Sequence, residues 1–171
     1  MGLRPATPDD AAAIARVHVE SWQGAYAHVF PPERLAELST DGRARWWRSQ
    51  LADLPERTRV VVDVDAAEAA GFASVGPSRD ADTDPARVGE LYSIYVLPER
   101  WGSGVGRRLI GAAHGALDEL GFQEAILWVL EDNPRARRFY EAAGWSLDGA
   151  TKEDVFLGVR VTEVRYRIAF A

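Results

Sequence analysis

The stretch ELYSIYVLPERWGSGVGRRLI, residues 90–110, decides how the rest of the chain is read. Its opening, ELYSIYVLP, is rich in β-formers and predicts a strand that ends at Pro98. Glycines follow at 102, 104 and 106, then Arg107, Arg108 and the start of a helical pattern. Backbone N–H groups without flanking side chains can converge at a helix N-terminus, where the dipole also favours negative charge. Counting excludes two familiar phosphate loops. A dinucleotide fingerprint from Gly102 needs glycine at 107, where Arg107 stands, and one from Gly104 needs it at 109, where Leu109 stands. A P-loop needs a closing Gly-Lys-Ser/Thr, and none is present. Two readings remain: a seat for some other anion, or a flexible turn with two solvated arginines.

Working outward, GVGRRLIGAAHGALDELG predicts a helix with an apolar face at 105, 109, 113, 116 and 120, stopped by Gly121. EAILWVLE is a nearly all-apolar strand, as expected when both faces are covered. NPRARRFYEAAG is a second glycine-stopped helix, and RVTEVRYRIAF closes the chain as an alternating strand. Upstream, GLRPA is a short strand. TPDDAAAIARVHVESWQGAYA is a helix that Thr7 can cap, with Ile14, Val17, Ser21 and Trp22 at helical spacing. FPPERLAEL and GRARWWRSQLADL predict further short helices, with RWW at 45–47 a buried face or a dimer contact. TRVVVDVD and AAGFASVG predict neighbouring strands turning near 65–70, and SRDADTDPARVG a polar loop. The order is helices, two or three strands, then β-α-β-α-β, an α/β (α+β mixed sheet) with helices on its faces.

At 171 residues the chain predicts a single domain, 1–171, able to bury a real core. A net charge of −6 argues against nucleic acid and is compatible with weak steering of a cationic substrate. No apolar run is long enough to span a membrane, and the first ten residues lack a signal-peptide core, so a soluble cytoplasmic protein is expected. The absence of cysteine excludes a disulfide framework and a thiolate nucleophile. Three scattered histidines without ligand-spaced partners predict no metal site.

The opening stretch, followed by LWVLEDNPRARRFYEAAGW at 127–145, resembles the two central motifs of the GNAT superfamily of N-acetyltransferases; RPATPDDAAAIARVHVESWQGAY resembles the opening of many members. The resemblance implies a GNAT-like acyl-CoA N-acyltransferase fold. Its central, mostly antiparallel sheet is flanked by helices and splayed between the fourth and fifth strands. It implies acetyl-CoA as co-substrate, no metal, a primary amine as acceptor, and a homodimer. In the family, loop amides hold the pyrophosphate, which here implies Trp101, Gly102, Ser103, Gly104, Val105, Gly106 and Arg107. Trp101 departs from the family's Gln or Arg, and Arg107 or Arg108 is the expected compensation. Ile94, Tyr95 and Val96 would run beside the pantetheine arm. A bulge nearby, which the sequence does not reveal, would free an N–H for the thioester oxygen. Asn133, Ala136 and Phe139 would complete the cofactor side.

Acetyl transfer needs an amine that has lost its proton, and a primary amine is only about 0.1% neutral at pH 7. Glu90 matches a position where several members place a general base; it is otherwise an exposed strand-end carboxylate. Other members carry that Glu near Trp128, which cannot serve, leaving Glu131, Asp132 or a water chain. Tyr140 matches the tyrosine that protonates the departing thiolate, and is otherwise a core aromatic on a face with Ala136, Phe139 and Ala143. Asn133 is equally a helix N-cap before Pro134. Trp22, Tyr26 and Tyr92 are expected to wall the amine pocket, against a plain packing role for the first two. The expected activity is direct acetyl transfer to a small-molecule amine. Its alternatives are a protein N-terminal or lysine acetyltransferase and a non-catalytic acetyl-CoA sensor.

Overall fold

The structure is a computed structural model and describes residues 2–171. Seven strands form one sheet in the order β1-β2-β3-β4-β5-β7-β6. They are β1 Gly2–Pro5, β2 Arg59–Asp65, β3 Glu68–Pro77, β4 Val88–Val96, β5 Glu124–Leu130, β6 Ser146–Phe156 and β7 Val159–Ala169. Every pairing is antiparallel except β4 with β5. Five α-helices flank it: α1 Ala11–Ala25, α2 Pro32–Ala36, α3 Thr40–Ala52, α4 Val105–Glu119 and α5 Pro134–Ala142. This is the mixed α/β sheet that the order of patterns implied.

Each face of the sheet is covered. On one, α1 and α3 bury Ile14, Val17 and Trp47 against Val62 and Phe72. On the other, α4 buries Leu109, Ala113 and Leu117 with Leu127, Trp145 and Tyr166. Full burial of one such side chain is worth about 1.5–3 kcal/mol, so these two layers fasten the helices to the sheet. Helix α4 lies close enough that a Cβ on Gly71 would come 2.8 Å from the Leu109 side chain and from the Tyr95 carbonyl oxygen. The buried stripe of α4 runs 105, 109, 110, 113, 117. It therefore leans toward Leu117, and the expected positions 116 and 120 pack only at its edge.

Two differences from the sequence reading bear on the site. The helix expected from Pro8 begins as a 3-10 turn over Pro8–Asp10, and Asp10 accepts the Thr7 N–H at 2.8 Å. Strand β6 is not among the elements that the sequence pattern predicts. Nine of its eleven residues are exposed, so its sequence has no apolar alternation to announce a strand. It is held by its ladder to β7, including Lys152 opposite Glu163 and Asp154 opposite Val161. Of the RWW residues, Trp47 is buried and Trp46 stands exposed under the Arg43 guanidinium.

Candidate active site

The site begins with a break in pairing. Strand β4 pairs with β5 only over Val88, Gly89 and Glu90. On its other side the register with β3 slips, because Ser74 faces Ser93 while Val75 faces Leu91. Tyr92 is the extra residue, which makes a β-bulge, and bulges bend and twist the strand that carries them. Beyond it β4 and β5 part, and a cavity of about 1060 Å³ opens between them.

One end of the cavity is the glycine loop. Gly102 and Gly104 have φ of +77° and +89°, in the left-handed region where a side chain is strained. Gly104 is the N-cap of α4, so the loop delivers free amides at the start of a fifteen-residue helix. A Cβ on Gly106 would meet the Phe139 ring at 3.3 Å, which holds α5 close behind the cradle. The two arginines separate. Arg108 turns away and binds the fully buried Asp63, Nε to Oδ2 at 2.8 Å. Arg107 is exposed and lines the cavity. Trp101 donates its indole N–H to the Val96 carbonyl at 2.9 Å, and the Arg135 guanidinium lies 3.4 Å over its ring. Position 101 thus carries a cation after all, on a neighbouring helix.

The residues singled out in the sequence gather around this cavity. Ile94, Tyr95, Val96, Trp101, Gly102, Ser103, Gly104, Gly106, Arg107, Asn133, Ala136 and Phe139 line it, as do Trp22, Tyr26, Tyr92, Glu90 and Tyr140. Val105 does not, since its side chain is in the core and only its backbone faces the loop. Glu131 and Asp132 are exposed in the turn after β5 and are not among the lining residues. Asn133 caps α5 by accepting the Ala136 N–H at 3.1 Å and gives its side-chain N–H to the Tyr26 hydroxyl at 3.3 Å, so one side chain serves fold and cavity together. Burial raises the pKa of Tyr140 well above the usual phenol value, so its hydroxyl keeps its proton across the neutral range. Burial likewise raises Tyr92, to about 12.

Glu90 is buried, not exposed, and it is engaged. Arg79 gives it three hydrogen bonds: from the backbone N–H at 2.9 Å, Nε at 3.2 Å and Nη2 at 2.7 Å. Trp128 donates to Asp80, whose carboxylate also binds Arg165 at 2.8 Å. Arg165 reaches Asp82 and Asp148 as well, which pins the 78–87 loop to the sheet. The far end of the cavity is lined by Lys152, Asp154 and Phe156 from β6 and Glu163 from β7. None of these four carries a motif, and only the face-by-face register of β5, β7 and β6 brings them here. Among the described residues, no group of three His, Cys, Asp or Glu side chains could hold a metal ion.

Comparison with known proteins agrees with this geometry. The family model described as "Acetyltransferase (GNAT) family" matches residues 15–145. An uncharacterized N-acetyltransferase of Bacillus subtilis, YuaI, is 33% identical over 95% of this chain and 89% of its own length. An aminoglycoside N(6')-acetyltransferase type 1 of Stenotrophomonas maltophilia is 30% identical over 84% of each chain. The structure of yncA, a putative acetyltransferase from Salmonella typhimurium with its cofactor acetyl-CoA, superposes with a TM-score of 0.73 at 22% identity, covering 99% of this chain and 93% of that one. With the split sheet, the glycine cradle and a family match spanning most of the sequence, this chain belongs to the GNAT family of acetyltransferases.

Proposed function

We propose that this protein transfers an acetyl group from acetyl-CoA to the primary amine of a small molecule, directly, with both substrates bound at once. The observation that carries the reading is the single cavity with two unlike ends. A cationic amide cradle lies at one, and an aromatic and carboxylate-lined chamber at the other, with the Tyr140 side chain on the shared wall. The cradle suits a pyrophosphate: amides at a helix N-terminus, with Arg107 and Arg135 beside them. Ile94 to Val96 then offer strand edge to the pantetheine arm, and the bulge at Tyr92 leaves a residue of β4 without a β3 counterpart near the thioester. A donor there would stabilise the charge that develops on the carbonyl oxygen.

Tyr140 supports the general-acid role because its phenol is neutral and opens on the cavity. A raised pKa makes outright proton loss costly. The phenol is therefore suited to hand its proton to the leaving sulfur while taking one from the acylated nitrogen, so that no phenolate accumulates. A compact acceptor is supported by how the chamber closes. Phe156, Leu157 and Val159 at the β6–β7 turn pack with Tyr26, Phe30 and Leu35 beyond α1, an apolar plug beside the chamber that favours a compact acceptor. The relative from Stenotrophomonas maltophilia, named for an aminoglycoside, is in keeping with that size class.

The test is release of free thiol from acetyl-CoA against a panel of amino acids, polyamines and aminoglycosides. At least one should turn over, and Tyr140→Phe should lower its kcat by about 10²–10⁴-fold. Binding of acetyl-CoA with no turnover against any amine, peptide amines included, would refute the enzymatic reading; turnover of peptides alone would refute the small-molecule one.

A further inference from the structure

Resting on the acetyltransferase reading, we infer that Glu163 is the carboxylate that takes the proton from the acceptor amine. Two carboxylates of the cavity are nearly buried, Glu90 and Glu163. They differ in what holds them. The Glu90 oxygens are occupied by three donors from Arg79, and a carboxylate so engaged has little capacity left for an incoming ammonium. Glu163 is 8% exposed, and its one ion-pair partner among the described residues is Lys152, whose Nζ lies 3.6 Å from Oε2, beyond good hydrogen-bond distance. A buried carboxylate without strong donors is costly unless a ligand supplies one, and an ammonium supplies three.

Its place in the sheet aims it correctly. Glu163 pairs with Leu130 on β5 and Lys152 on β6, and both neighbours line the cavity, so all three stand on the cavity face. Trp22 and Tyr26 stand on the cavity's α1 wall, their rings 4.9 Å apart and edge to face, a surface suited to the alkyl part and the charge of an alkylammonium. The charged and titratable groups around Glu163 come from every wall: Lys152 and Asp154 from β6, Arg79 from the loop before β4, Tyr26 from the C-cap of α1 and Tyr95 from β4. Burial raises the Glu163 pKa and Asp154 adds to the rise; Lys152 and Arg79 oppose it. A base tuned upward is better matched to neutral pH.

The proton balance follows. The ammonium gives one proton to Glu163 and becomes the free amine. Its nitrogen bonds to the thioester carbon, the carbon–sulfur bond breaks, and the thiolate leaves with the proton of Tyr140. The acylated nitrogen returns its extra proton to Tyr140, and Glu163 releases the first to solvent, leaving amide, free thiol and one proton in water.

The experiment is kcat/KM against pH for Glu163→Gln, using the best amine of the panel, with acetyl-CoA affinity measured by calorimetry on the same samples. The expected result is a loss of about 10²-fold or more at pH 7, shrinking as pH rises toward the amine's own pKa, with acetyl-CoA affinity unchanged. A profile equal to the wild type, or a loss constant at every pH, overturns the assignment. Lys152→Met gives a second reading that does not depend on the Gln variant folding. Removing that cation should move the acid limb of the profile upward by about one unit, and an unmoved limb also overturns it. Failure of the wild type to acetylate any amine is a different outcome and strikes the acetyltransferase reading itself.

Discussion

Arg107 and Arg108 are adjacent in sequence and are assigned opposite work, which makes them a paired test. Asp63 is fully buried, its Oδ2 held by Arg108 Nε at 2.8 Å and its Oδ1 without a partner among the described residues. Arg108→Leu strands that carboxylate. Breaking a buried ion pair from one side costs about 3–5 kcal/mol. The Arg108 side chain is 36% exposed, so water already shares the guanidinium, and the low end, about 3 kcal/mol, is the better figure. For a chain of this size each kcal/mol moves the melting temperature by about 2–4 °C, so the expected drop is about 6–12 °C. Arg107→Leu removes an exposed side chain and should shift stability by less than about 0.5 kcal/mol. It should weaken acetyl-CoA binding roughly tenfold, as expected when a charged hydrogen bond is lost. The assay is thermal unfolding with and without acetyl-CoA, plus calorimetric affinity for each variant. The double change Asp63→Asn with Arg108→Leu should regain most of the lost stability by removing the stranded charge. An Arg108→Leu protein that melts like the wild type, or one that binds acetyl-CoA tenfold worse while Arg107→Leu does not, would refute the division.

Three further outcomes follow from the same structure. His18 is stacked on Tyr95 with its pKa pushed down to about 3, chiefly by burial and then by Arg43, so the unfolded chain takes up the proton first. Its contribution is full above about pH 6.5 and is lost as pH falls toward 3, at about 1.4 kcal/mol per unit; unfolding free energies from urea titrations at pH 7 and pH 5 should therefore differ by about 2 kcal/mol less in His18→Phe than in wild type, and equal acid losses would contradict this. Gly104→Ala forces an alanine to φ +89° and should cost about 1–2 kcal/mol in chemical unfolding while also lowering acetyl-CoA affinity; a variant unchanged in both would show the left-handed N-cap to be dispensable. Arg165→Met leaves Asp80 and Asp148 without their shared cation and should cost about 3–5 kcal/mol, with faster hydrogen exchange over residues 78–87 and a raised KM for the amine; unchanged exchange in that loop would mean that Arg165 does not anchor it.

The parts of the site that were legible in the sequence are those where one short segment does the work through its backbone. The cradle needs glycines at 102, 104 and 106 because φ and close approach demand them, and those demands are local. Asn133 before Pro134 announces a helix start for an equally local reason, and Tyr140 follows seven residues on, two turns along the same helix. The fates of Arg107 and Arg108 were not legible. Successive helical residues point about 100° apart, but which of the two meets an anion depends on Asp63, 45 residues away on β2. The engagement of Glu90 depends in the same way on a loop whose sequence is merely polar.

Glu163 shows most sharply why the far end of the cavity resists reading. In RVTEVRYRIAF the charged residues Glu163, Arg165 and Arg167 alternate with Val164, Tyr166 and Ile168, and period two assigns them to one face. A charged face beside an apolar one is the ordinary pattern of a strand with one side in water. Here the same pattern has another cause. Arg165 is spent on Asp80, Asp82 and Asp148, Arg167 reaches Glu124 at 2.7 Å, and Glu163 is left facing the cavity with Lys152 as its one ion-pair partner among the described residues. The alternation fixes the face, whereas the chemistry of that face depends on three other elements: the 78–87 loop, β6 and α1. None of them is adjacent to β7 in sequence except β6, whose own pattern hides that it is a strand. An acid on a closing strand therefore turns from surface charge into a site residue only once the sheet order β5-β7-β6 is known.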